Sequence, residues 1–193
     1  KTWPASDVRL LAALGVTDVG ENRDAEAAPK AAECADLSLT WHFVGQLQTN
    51  KAASVARYAS FVHSVDRPRL IRALGAAARR AGRVIECLIE VSLDGDPERG
   101  GALAGQVPGL AGELAAEPGL VLGGVMAIAP LGMEPAAAFA RLRDSAALVR
   151  EVRPAATVIS AGMSADLEAA IAAGATHVRI GTALLGDRGP RVR

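Results

Sequence analysis

Ser160-Ala161-Gly162-Met163-Ser164-Ala165-Asp166 and, after it, His177-Val178-Arg179-Ile180-Gly181-Thr182-Ala183 are the two segments that decide the fold. Each runs from a short β-prone stretch through a glycine to a hydroxyl residue that opens an alanine-rich, helix-prone segment. Two such junctions in succession read as the closing end of a (β/α) barrel, where the loops after the last two strands commonly hold phosphate. The same alternation recurs upstream. Short β-branched or aromatic runs at residues 18–21, 41–45, 61–65, 84–93, 120–128, 158–162 and 177–181 are separated by segments of helical spacing. Pro4 opens and Gly15 closes the first helix, Asp66 precedes one that stops at Gly82, and Ser164 precedes one that stops at Gly174. Within that last helix Leu167 and Ile171 form a narrow apolar stripe suited to packing on a sheet.

Seven predicted strands fit an open doubly wound sheet or a barrel short of one strand. The expected class is α/β: a single (β/α)8 TIM-type barrel whose first strand would end just before Lys1, so that the true beginning is missing from a chain that opens on Lys rather than Met. Residues 1–193 are expected to form one domain, with a polar surface loop at 94–101 and a loosely held tail from about 187.

Composition narrows the partners. Twenty-one basic residues balance 21 acidic ones, so no global field draws the chain to nucleic acid or an anionic membrane. No apolar run reaches the ~20 residues of a membrane span, and the start lacks a signal-peptide layout. Cys34 and Cys87 read as reduced, buried thiols. A cytoplasmic protein is expected.

An anion must therefore be held locally. Ser164 and Thr182 serve as ordinary helix caps in one reading. In the other, the two loops converge on one phosphate, which the N–H groups at helix starts and the hydroxyls would hold. On the last strand Val178 and Ile180 alternate with His177 and Arg179, which turns the apolar pair toward the helices and Arg179 into the barrel. A buried guanidinium requires an acceptor: a carboxylate on a neighbouring strand, or a ring nitrogen of a cofactor. Lys1, just before the helix that Pro4 enters, would project into the barrel mouth. Desolvation and a nearby Arg179 would there lower its pKa and favour attack on an aldehyde, the alternative being an ordinary exposed lysine.

Lys1-Thr2-Trp3-Pro4, Gly20-Glu21-Asn22, WHFVGQLQTNK at 41–51, His63-Ser64-Val65-Asp66-Arg67, Met126-Ala127-Ile128, SAGMSADLEAAIAAG at 160–174 and VRIGTALLG at 178–186 together resemble the pyridoxal 5′-phosphate (PLP) homeostasis proteins, relatives of the alanine racemase N-terminal barrel. The resemblance implies PLP as cofactor and Lys1 as the Schiff-base lysine. It further implies Ser164, Gly181 and Thr182 as phosphate holders, Arg179 as partner of the pyridine nitrogen, and Asn22 and Met163 as residues lining the ring. Trp41 and His42 are read as structural. Departures are Arg23 in place of a usual tyrosine, Gly45-Gln46 in place of Gly-Pro, and a 94–101 loop without the usual Ser-Gly ending.

Three functions are set against each other. The first is a non-catalytic PLP carrier or buffer, a monomer or weak dimer with PLP-dependent apoenzymes as candidate recipients. It follows because an arginine on the ring nitrogen weakens the cofactor's electron sink, and because the chain is expected to lack the further β domain of the racemases. The second is a PLP-dependent racemase or lyase using Lys1 with His63 or His42. The third is a sugar-phosphate barrel enzyme without PLP, for which neither Glu21 nor Glu90 has an evident acid–base partner.

Overall fold

In the computed structural model, which describes residues 3–96 and 99–186, six parallel strands pair in consecutive order. They are β1 Asp18–Glu21, β2 Thr40–Phe43, β3 Phe61–Val65, β4 Ile85–Glu90, β5 Leu120–Met126 and β6 Val158–Ser160. Parallel neighbours need a crossover. Helices α2 Asp24–Glu33, α3 Ala52–Tyr58, α4 Pro68–Arg80, α5 Val107–Ala116 and α6 Pro135–Val152 supply them. Helix α1 Ala5–Ala13 precedes β1, while α7 Leu167–Ala172 and α8 Thr182–Leu185 follow β6.

The sheet is curled. Laid flat, β3 and β6 would stand about 14 Å apart at the usual strand spacing, a gap that a histidine and a serine cannot bridge. Yet His63 Nδ1 on β3 lies 3.0 Å from Ser160 Oγ on β6. The chain is thus a partial (β/α) barrel, as expected. The two sides of the sheet differ in chemistry. Val62, Ile85, Cys87, Ile89, Leu122 and Val125 join the apolar layer beneath the helices, whereas the interior carries His42, His63 and Ser160, all buried.

Helix α4 shows how that outer layer is built. Leu70, Ile71, Leu74, Ala77 and Ala78 recur at helical spacing and are buried, while Arg79 turns out to pair with Glu117. Leu74 is fully buried. Leu74→Ala is expected to lower unfolding free energy by about 2–5 kcal/mol in a urea titration, the cost of a large-to-small change in a packed core.

Several expectations need correction. The predicted strand at 177–181 is reduced to a bridge between Ser160 and His177, although Ala161 N donates to His177 O at 3.0 Å and Arg179 N to Gly162 O at 2.9 Å. These bonds lie on one side of the segment only, and among the described residues no strand pairs with its other side. Its apolar pair is accordingly not covered: Val178 and Ile180 are each 39% exposed. Asp166, not Ser164, occupies the N-cap position of α7, and its Oδ1 accepts the Met163 N–H at 2.6 Å. That helix buries Ala170 instead of the Leu167/Ile171 stripe, and Ile171 is left 55% exposed. The reason is closeness: a Cβ on Gly162, whose φ is +89°, would lie 2.6 Å from the Ala170 Cβ. Lys1 and the tail from 187 lie outside the described residues. Cys34 and Cys87 are free and buried, and no helix among the described residues is long and apolar enough to cross a membrane.

Candidate functional site

Arg179 organises the C-terminal end of the barrel. The backbone bond to Gly162 fixes its position, and alternation from His177 sends its side chain inward. Its guanidinium donates to Ser160 Oγ at 2.8 Å and to the Ala127 carbonyl at 3.0 Å, just past the ends of β6 and β5. Among the described residues no carboxylate, the protein partner weighed from sequence, is in direct contact with it. Burial lowers its pKa, and Asp166 and Glu90 oppose that through space. A guanidinium has five N–H donors. The described residues accept from it at two places, so donor capacity is left over beside the mouth.

The loops on either side are short of acceptors as well. The backbone N–H groups of Ser164, Gly181 and Thr182 donate to nothing among the described residues. Both residues with hydroxyls, Ser164 and Thr182, are exposed, and neither caps its helix. Met163 stands in the first of these loops, 39% exposed. The structure therefore brings Met163, Ser164, Arg179, Gly181 and Thr182 into one neighbourhood through the pairing of 160–162 with 177–179. Asn22 belongs to a different side, at the end of β1. There its backbone is in close contact with Gly45, where any Cβ would fall 2.1 Å from the Asn22 carbonyl oxygen. The glycine of the departing Gly45-Gln46 pair is thus needed for space.

The chain has three lysines, Lys1, Lys30 and Lys51. Lys30 is buried and ion-paired with Glu21, and Lys51 is exposed on a 3-10 turn, Thr49–Lys51. Lys1 is outside the described residues, while Trp3 and Pro4 line a cleft with Glu26 and Lys30 of α2.

Sequence reasoning passed over the link between the interior histidines and Arg179. His42 sits between Trp41, packed on Val8, Ala31 and Cys34, and Phe43, in the main core, so it points the opposite way from both. Polar residues in the inward phase of β2 and β3 were the available signal. His63 is hydrogen-bonded at both ring nitrogens, and burial pushes its pKa down to about 3. It is a poor base at neutral pH.

Glu90, at the end of β4, is raised to about 7, first by burial and then by Asp66, against the pull of Arg179, Arg67 and Arg99. A carboxyl raised on folding holds a proton that the unfolded chain releases, so its contribution falls as pH climbs from about 4.5 to about 7. Among the described residues its Oε2 is buried without a hydrogen-bond partner. Glu90→Gln is expected to raise stability at pH 8 by about 1–2 kcal/mol and to flatten that pH dependence in thermal unfolding, with little gain at pH 5.

Comparisons with known proteins agree with this architecture. Residues 5–189 match the family of the alanine racemase N-terminal domain. The chain is 43% identical over 195 residues to the pyridoxal phosphate homeostasis protein of Corynebacterium glutamicum, covering 97% of this chain and 87% of the relative. It is 44% identical over 207 residues to the protein of that name from Mycobacterium bovis, covering 97% and 80%. Its fold is similar to PipY of Synechococcus elongatus, 37% identical, with TM-scores of 0.90 to the structure without PLP and 0.88 to the one with PLP bound, over 96% of this chain and 89% of PipY.

Proposed function

This chain belongs to the alanine racemase N-terminal domain family and, within it, to the pyridoxal phosphate homeostasis proteins, and from that premise we propose that it is a PLP-holding protein of intracellular PLP homeostasis. The observation that carries the reading is Arg179: a half-buried guanidinium with neutral acceptors and unused donors, beside loops whose backbone N–H groups donate to nothing among the described residues. Those features fit a phosphorylated, nitrogen-containing ring.

PLP supplies an aldehyde that condenses reversibly with a primary amine, losing water, and a ring that draws electrons when its nitrogen is protonated. The ε-amine of Lys1 takes the aldehyde as a Schiff base; the other two lysines are paired or exposed. The N–H groups of Ser164, Gly181 and Thr182, with the Ser164 and Thr182 hydroxyls, receive the phosphate. Asn22 and Met163 flank the ring. Arg179 donates to the ring nitrogen and, because a guanidinium cannot give up its proton, keeps that nitrogen unprotonated. The sink is weakened, and the protein holds PLP without robust catalysis, in the cytoplasm, for delivery to PLP-dependent apoenzymes.

Titrating PLP into the chain is expected to produce a visible absorption band that persists during incubation with amino acids. Stereoinversion of alanine at an ordinary enzymatic rate would instead establish the racemase reading.

A further inference from the structure

A chain of hydrogen bonds crosses the barrel interior, and the proposed cofactor chemistry uses only its last member. Asp18 Oδ1 lies 3.0 Å from His42 Nε2, His42 Nδ1 lies 2.9 Å from His63 Nε2, and His63 Nδ1 lies 3.0 Å from Ser160 Oγ, which accepts from Arg179 Nη1 at 2.8 Å. The members come from β1, β2, β3 and β6 and from the segment after α7.

Both ends have a fixed sense. A guanidinium only donates, and an ionised carboxylate only accepts. A neutral imidazole has one N–H, so the assignment propagates from Asp18. His42 must carry its proton on Nε2, which leaves Nδ1 to accept from His63. His63 must then donate from Nε2 and accept at Nδ1, and the Ser160 hydroxyl must donate to it. All four bonds point from Arg179 toward Asp18, an order in which each bond polarises the next. Reversal needs a second proton on His42, which burial disfavours. The order also explains how Arg179 is tolerated without an ion pair among the described residues: its charge is relayed to a carboxylate whose side chain is 59% exposed. His177 is the further titratable group beside the chain. Its ring centroid is 6.2 Å from that of His42, but its Nδ1 pairs with Thr176 Oγ1. Phe61 stacks on the His42 ring at 4.5 Å and holds it in plane. Asp166 and Glu90 act on Arg179 only through space.

We propose that His42, His63 and Ser160 are positioning residues that lock the Arg179 guanidinium in one orientation at the barrel mouth, through a hydrogen-bond chain of single polarity anchored on Asp18. The proposal rests on the PLP reading only for what Arg179 meets there.

Nitrogen-detected magnetic resonance of the chain without PLP tests it. Both imidazoles are expected to be protonated on Nε2 and bare on Nδ1, and the Arg179 Nη groups to be hindered in rotation. Asp18→Ala, an exposed change that leaves the core intact, is expected to convert His42 to a tautomer mixture, to free the Arg179 Nη groups, and to weaken PLP binding about threefold. Asp18→Asn, which keeps an acceptor oxygen, is expected to restore all three, and Ser160→Ala to weaken PLP binding about tenfold. A wild-type His63 protonated on Nδ1, or an Asp18→Ala spectrum identical to wild type at His42 and Arg179, overturns the proposal. A wild-type chain that binds no PLP defeats the cofactor reading alone, and the resonance data still decide the relay.

Discussion

Lys1→Ala is expected to remove the visible band that PLP acquires on the wild-type chain and to weaken retention of PLP roughly a hundredfold, equivalent to about 2.7 kcal/mol. In the proposed site the covalent link is the part that neither of the other two lysines is placed to replace. Lys30 is committed to Glu21 beneath the protein surface, and moving it would break that buried ion pair. Lys51 sits on an exposed turn. The loops proposed to hold the phosphate, and Arg179, survive the substitution, so weak, colourless binding of PLP should remain. Equilibrium dialysis beside the absorption titration separates the two contributions, and thermal unfolding of the protein without PLP should be unchanged.

Arg179→Met carries the second large effect, and its two consequences have opposite signs. Losing charge-assisted donors is expected to weaken PLP binding about 10- to 30-fold. A pyridine nitrogen no longer faced by a permanent cation can take a proton, so the electron sink strengthens. Residual bound PLP should then promote deuterium exchange at the Cα of added amino acids, which the wild type should not. Folding should tolerate the change. The removed charge relieves a desolvation cost comparable with the hydrogen bonds lost at Ser160 and Ala127. Cα exchange measured by proton magnetic resonance, compared between wild type and variant, reads the catalytic restraint proposed for this arginine.

How far the sequence carried the reading depends on which physical signal was local. The alternation of β-prone runs and alanine-rich helices is a local signal, and β1 and β3 fall at the residues expected, 18–21 and 61–65. Arg179 was also legible, because two-residue periodicity in a strand-like segment decides inward from outward, and it holds even where the segment pairs on one side only. Helix α7 was less so. Ser164 and Asp166 are both good capping residues by type; Asp166 holds the position, with its carboxylate turned back to the Met163 N–H and not into the helix. Its packing face was decided by the close approach of Gly162 to Ala170, a tertiary fact that the Leu167/Ile171 spacing does not encode. The histidine relay was the least legible, since it joins residues 18, 42, 63, 160 and 179 across a curled sheet, and no window of sequence spans them.

Borohydride reduction of the PLP-loaded chain, followed by digestion and fragment mass spectrometry, identifies the amine that holds PLP. One reduced pyridoxyl group is expected, on the ε-nitrogen of Lys1. A tag on Lys30 or Lys51, or a chain that emerges untagged, would contradict it.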